Sequence, residues 1–162
     1  MVYYCHMTKL SVQGNIFSDL ILEIFRVNGL LLEAGDLLTQ PVGLSSARWQ
    51  ILGVVEHGPI SVAHVARVMG LARQSVQQTA DGLEKEGFIV YADNPHHRRS
   101  KLMHLTPKGR TALDYIQQRH AEWANDIAEH HPLEGLQAAI DTLRQLRASL
   151  DQHPIASLKT EP

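Results

Sequence analysis

From Asn15 to Leu38 the apolar residues Ile16, Leu20, Ile21, Ile24, Val27, Leu31 and Leu38 recur at three- and four-residue steps, with Phe17, Phe25, Leu30 and Leu32 widening the stripe. That period predicts a helix, and so broad a stripe predicts burial on more than one side. Gln40-Pro41-Val42-Gly43 breaks it. Ser45 or Ser46 is placed to cap a second helix with Trp49, Leu52 and Val55 inward, closed by His57-Gly58-Pro59. After a short extended Pro59-Ile60 step, Ser61 caps a short helix with Val65, Ala66 and Met69 inward, and Gly70 ends it. A further helix from about Ala72 to Glu86 keeps Val76, Ala80 and Leu83 on one face and Arg73, Gln74, Gln77, Gln78 and Asp81 on the other.

Beyond Gly87 the pattern changes. Phe88 to Ala92 and Leu102 to Leu105 have strand composition and flank the loop Asn94-Pro95-His96-His97-Arg98-Arg99-Ser100-Lys101, which predicts a hairpin with a basic tip. Thr106 then caps a helix running to His130 with Pro107 in its first turn, where a missing amide costs nothing. Its stripe is Leu113, Ile116, Trp123 and Ile127. Pro132 interrupts it, and Leu136, Ile140, Leu143 and Leu150 resume at nearly heptad steps.

A helix that can enter a DNA groove, followed at once by a cationic hairpin that can reach phosphates, is the pattern of a winged helix-turn-helix. Ala66, Gly70 and Val76 supply the small residue at the helix crossing, the glycine of the turn and the branched residue on the second helix. The fold class expected is therefore mainly α with a small β-hairpin wing. The expected organisation is a start at 1–14 without fixed structure, a dimerisation helix at 15–42, the winged lobe at 43–106, carboxy-terminal dimerisation helices at 107–153 and a frayed tail at 154–162.

Composition narrows the function. With 162 residues, 44% of them apolar, the chain can bury one core but is short for two complete domains. The net charge of −2 gives no global basic signature, yet the segment 61–110 holds eight bases against four acids and is +4, leaving the rest at −6. Such partition fits a DNA-facing module on helices that face away from the duplex. Cys5 is the single cysteine, so an intrachain disulfide is excluded and the expected compartment is a reducing cytoplasm. The first residues lack the basic start and apolar centre of a secretory signal, and Asp19, Glu23, Arg26, Glu33 and Asp36 interrupt the first helix too often for a membrane span.

At the start of the second helix of the pair, Arg73, Gln74 and Gln77 match purine edges in the major groove, arginine to guanine and glutamine to adenine. Ser75 and Gln78 are equally suited to phosphates. In the hairpin, Arg98 and Arg99 are placed to reach the minor groove and Lys101 a phosphate, with an internal brace from Arg98 to Asp93 as the alternative. The bland reading of the helix face is an ordinary solvated surface.

The runs Leu44-Ser-Ser-Ala-Arg-Trp-Gln-Ile-Leu52, Leu83-Glu-Lys-Glu-Gly-Phe-Ile-Val90, Asp93-Asn-Pro-His-His-Arg-Arg-Ser-Lys101 and Leu105-Thr-Pro-Lys-Gly109 together resemble the MarR family of bacterial regulators, well over residues 44 to 113. The resemblance implies a homodimer built by terminal helices, whose winged lobes bind a near-palindromic operator, usually to repress nearby genes. It also implies release by a small, often aromatic or phenolic, ligand held between the dimerisation and DNA-binding parts. The recognition helix then falls at Arg73 to Gln78 and the wing arginines at Arg98 and Arg99. The family usually has an acid where His97 stands, and often bases where Gln78 and Gly82 stand.

A twofold axis sets recognition helices about 34 Å apart, one turn of DNA. An effector pocket is expected where dimer helices meet the lobe, with Asn28, Arg48, Trp49, His57 and Tyr115 as lining candidates and Arg48 as an anion holder. The sequence has no nucleophile elbow, Gly-rich phosphate loop or metalloprotease spacing, so an enzyme is not expected, nor is a cofactor. Ten histidines raise a metal sensor, but His96-His97, His120 and His130-His131 form no compact ligand set. Cys5 as a redox switch lacks a nearby base, and a winged-helix module that binds only proteins is the remaining alternative.

Overall fold

The computed structural model describes residues 9–95, 97 and 99–154. Cys5, His96, Arg98 and the tail beyond 154 therefore lie outside the described residues. Two compact units divide the chain, Met1–Gln117 and Gln118–Pro162.

In the first unit, α1 spans Val12–Thr39. It begins three residues before the expected start because Ser11 accepts a hydrogen bond from the Gly14 amide at 3.0 Å, satisfying a donor the helix itself leaves open. A 3₁₀ turn at Gln40–Val42 follows, and Gly43 takes the left-handed conformation that lets the chain reverse. Helix α2 covers Ser46–Val55, capped by Ser45 rather than Ser46. Ser46 instead donates its amide to Asp36 Oδ1 at 2.6 Å, so α1 supplies a second cap to α2. The two helices meet at Gly35, where an added Cβ would lie 2.6 Å from Ser46 Oγ.

Helices α3 (Val62–Met69) and α4 (Arg73–Lys85) form the expected pair. Ser61 caps α3, and Gly70 ends it in the left-handed region at φ 65°. Strands β1 (Ile89–Ala92) and β2 (Leu102–Leu105) pair antiparallel, with Ile89 opposite Leu105 and Ala92 opposite Leu102. The extended Pro59-Ile60 step does more than connect: Ile60 exchanges both backbone bonds with Met103, at 2.8 and 3.3 Å, and anchors the loop before α3 to the hairpin.

Helix α5 covers Pro107–Ala128. Thr106 accepts from the Gly109 amide and donates to the carbonyls of Gly87 and Phe88, which ties the helix start to the beginning of β1. Gly109 permits that approach, since a Cβ there would stand 2.2 Å from the Phe88 carbonyl oxygen. The core of the unit is built from Ile51, Leu52, Val65, Val76, Ala80, Leu83, Ile89, Met103, Leu113 and Ile116, all nearly or wholly buried. Because Ala112, Leu113 and Ile116 belong to this core, the compact unit reaches Gln117 and the expected boundary at 106 falls short of it. Glu56 reinforces the attachment by pairing with Arg110 and accepting from Gln117.

In the second unit, the end of α5 and α6 (Leu133–Gln152) bury no described residue. Leu133, Leu136, Ile140, Leu143 and Leu150 are all exposed, as are Ile16, Phe25, Leu30 and Leu31 of α1 in the first unit.

Candidate nucleic-acid interface

Helix α4 is fixed from beneath. Val76, Ala80 and Leu83 are at most 1% exposed, and the Leu71 amide donates to the Ala66 carbonyl at 2.9 Å to set the turn between α3 and α4. With that face pinned by packing, the remaining side chains of the helix must project outward, and Arg73, Gln74, Ser75 and Gln78 are exposed while Gln77 is half-buried. The first turn of α4 has no side-chain cap, so its amides face outward with the partial positive charge of a helix start.

The hairpin brings a second set of cations to this helix. Arg73 and Gln77 line one cleft of about 380 Å³ with Val62, Tyr91, Arg99, Ser100 and Lys101. Arg73 also borders an open groove with Gln74, Gln77, Gln78 and Asp81, and a further cleft with Ser61, Asn94, His97 and Arg99. Of the residues expected to meet DNA, then, Arg73, Gln74, Gln77, Gln78, Arg99 and Lys101 share one surface. Ser75 is exposed nearby without lining these clefts, and Arg98 is outside the described residues. The wing turn is closed by the His97 amide donating to Asn94 and the Ser100 amide donating to His97. Arg73, Arg99 and Lys101 form no ion pair with any described residue.

Gln77 is held differently from its neighbours. Its amide nitrogen donates to Asp81 Oδ1 at 2.7 Å and to the Tyr91 hydroxyl at 3.0 Å, and Tyr91 donates in turn to Asp81 at 3.1 Å. Burial, followed by the bond to Asp81, pushes the Tyr91 hydroxyl up to about 12, so it remains a donor across any working pH. The apolar period of α4 predicts Gln77 and Asp81 on its outer face but not their link to β1. Their four-residue spacing carries a signal. Tyr91 carries none, because its partner lies across the fold.

The candidate effector residues sit on α1, α2, α5 and the turn after α2. Arg48 makes a two-pronged pair with Glu86 at 2.9 and 2.7 Å, so the guanidinium expected to hold an anion is already engaged by a carboxylate. That hydrogen bond, with the positive charge behind it, holds Glu86 below its ordinary carboxyl range. Trp49 packs half-buried against the core, while Asn28 and Tyr115 are exposed on α1 and α5. His57 lines a shallow cleft with Ile60, His64 and Asn94 instead. Gly82, where the family often has a base, has a local use: an added Cβ would sit 3.2 Å from the Arg48 guanidinium, which crosses α4 there to reach Glu86. Among the described residues no cluster of three or more His, Cys, Asp or Glu is arranged to hold a metal, and no helix is long and apolar enough to cross a membrane.

Residues 42–100 match the MarR family. An uncharacterized protein of Mycobacterium tuberculosis is 36% identical over 131 residues, spanning 81% of this chain and 92% of that protein. Among solved structures, CouR from Rhodococcus jostii RHA1 bound to p-coumaroyl-CoA superposes with a TM-score of 0.72 at 27% identity, covering 79% of this chain and 91% of CouR. A MarR variant from E. coli complexed with operator DNA shares the fold, with a TM-score of 0.74 at 16% identity over 85% of this chain and 99% of that one. With its helix pair, its hairpin and these likenesses, the chain belongs to the MarR family of winged-helix transcriptional regulators, which are not enzymes.

Proposed function

We propose that this regulator is a cytoplasmic, ligand-responsive repressor that binds a near-palindromic operator as a homodimer, with α4 in the major groove and the wings alongside. The observation that carries the reading is the convergence of Arg73 from α4 with Arg99 and Lys101 from the wing around one cleft, with no acid among the described residues paired to any of them. Unpaired cations on two separate elements cost solvation only if buried. Exposed, they are free to exchange counterions for phosphates. In this reading Arg73, Gln74 and Gln77 reach base edges, Ser75 and Gln78 hold the backbone, and Arg98, Arg99 and Lys101 grip the adjacent groove. The exposed apolar faces of α1 and α6 give each protomer surface suited to a second copy, which supports 15–42 and, of 107–153, the part beyond Gln117 as the dimerisation segments.

The effector is proposed to be a small aromatic or phenolic compound, with the p-coumaroyl-CoA held by CouR as the first to try. It acts by binding one arrangement of the dimer better than the other. The test is a titration against the duplex upstream of the protein's own gene at several salt concentrations, repeated with p-coumaric acid and p-coumaroyl-CoA. With six or more phosphate contacts the affinity should fall by roughly a thousandfold or more between 50 and 200 mM salt. Binding that ignores salt, or no binding to any duplex, would instead support a winged helix that recognises proteins.

A further inference from the structure

We propose that Gln77 meets DNA as a hydrogen-bond acceptor only, because Asp81 and Tyr91 consume both N–H groups of its amide. This rests on the DNA-binding reading above and sharpens it at one side chain. An ionised carboxylate can only accept, so the Gln77 atom 2.7 Å from Asp81 Oδ1 must be the amide nitrogen and not the oxygen. The Tyr91 hydroxyl, 3.0 Å from that same nitrogen, accepts the second N–H and spends its own proton on Asp81. Each of the three groups has one consistent role, and the ring of bonds closes. What remains of the amide is its carbonyl oxygen, on a residue that borders the clefts on both sides of the outer face of α4.

The consequence concerns base choice. A glutamine that selects adenine does so with two bonds, an N–H to N7 and an oxygen to the N6 amino group. Gln77 lacks the first. Its oxygen can accept from the amino group of adenine or of cytosine, while guanine and thymine offer only acceptors at the same edge. Tyr91 and Asp81 thus act as positioning residues that widen the preference at one base pair.

Selection from a random duplex pool, read by sequencing, tests this. The unsubstituted chain should show one position in each half-site where adenine and cytosine are enriched about equally over guanine and thymine, and Gln77→Ala should erase that enrichment. Tyr91→Phe combined with Asp81→Ala releases both N–H groups, and should favour adenine over cytosine by about tenfold at that position. Tyr91→Phe alone, the milder change, should move part of the way, and adding Gln77→Ala should abolish the shift. A merely structural role would weaken all sequences alike. The proposal is overturned if the unsubstituted chain already takes adenine alone at the Gln77-dependent position. It falls too if the freed variants keep the adenine or cytosine tolerance, or if Gln77→Ala changes no position of a sequence that is otherwise selected. A chain that selects no sequence at all removes the DNA-binding reading itself and this inference with it.

Discussion

Helices α4 and α6 both repeat apolar residues at three- and four-residue steps, yet Val76, Ala80 and Leu83 of α4 are at most 1% exposed while Leu136, Ile140 and Leu143 of α6 are 38–48% exposed. The same period therefore serves two purposes. In α4 the stripe is matched within the unit by α2, α3 and β1, so the outward face is dictated and the side chains there are available for recognition. In α6 the stripe has no buried member, and periodicity alone does not say what covers it. Helix α1 joins the two cases: Gly35 and Thr39 near its end are buried, whereas Ile16 and Phe25 are exposed.

The widest separation between the two helices should appear in paired truncations. Leu113→Ala, at a fully buried site of the lobe, should cost about 2 to 5 kcal/mol in urea unfolding, whatever the protein concentration. Ile140→Ala in α6 should instead lower Tm in a concentration-dependent way, since in the proposed homodimer its cost falls on association. Equal and concentration-independent losses at both sites would break the contrast. Next in size, Gly109→Ala forces a methyl toward the Phe88 carbonyl and should destabilise by about 1 to 3 kcal/mol, checked by the same unfolding curves. A neutral result would mean that α5 does not depend on its tight seat against β1.

The smallest effects lie at the lobe's surface. Arg48→Ala removes a half-exposed ion pair and should cost under about 1 kcal/mol at neutral pH after solvent screening. Because Glu86 is held below its ordinary value of 4.5 in the folded chain, the pair's contribution is fully present above that value. It is lost as pH falls through the lower, folded value. Unfolding curves of Arg48→Ala and the unsubstituted chain should therefore differ at pH 7 and converge in acid. Gly82→Ala sharpens the point: in the Arg48→Ala background it should gain about 1 kcal/mol of helix propensity. With Arg48 present, crowding of the guanidinium should offset part of that gain, an interaction measured by a double-mutant cycle.

Much of this architecture is written in local signals. Ser61, Gly70, Thr106 and Pro107 mark helix ends through chemistry that acts within four residues, and β2 is found where its composition points. Helix α1 starts three residues before its apolar stripe predicts, because a polar first turn hides the cap at Ser11. Pairings that span the chain leave no such trace. Nothing near Ile60 announces Met103, nothing near Arg48 announces Glu86, and the first turns of α5 read like any amphipathic helix until they are found inside the lobe. The site follows the same division: the residue types on α4 were legible, while the restraint on Gln77 needed a tyrosine from a different element.

The carboxylate of Asp36, seated on the first amide of α2, sets where this protein can be cut. A fragment beginning at residue 43 would lack Asp36, the close crossing at Gly35 and the buried Thr39, leaving α2 with the Ser45 cap alone and a groove where a helix had lain. The shortest autonomous piece must accordingly carry the last turns of α1. Cleavage within those turns should loosen the module downstream of them.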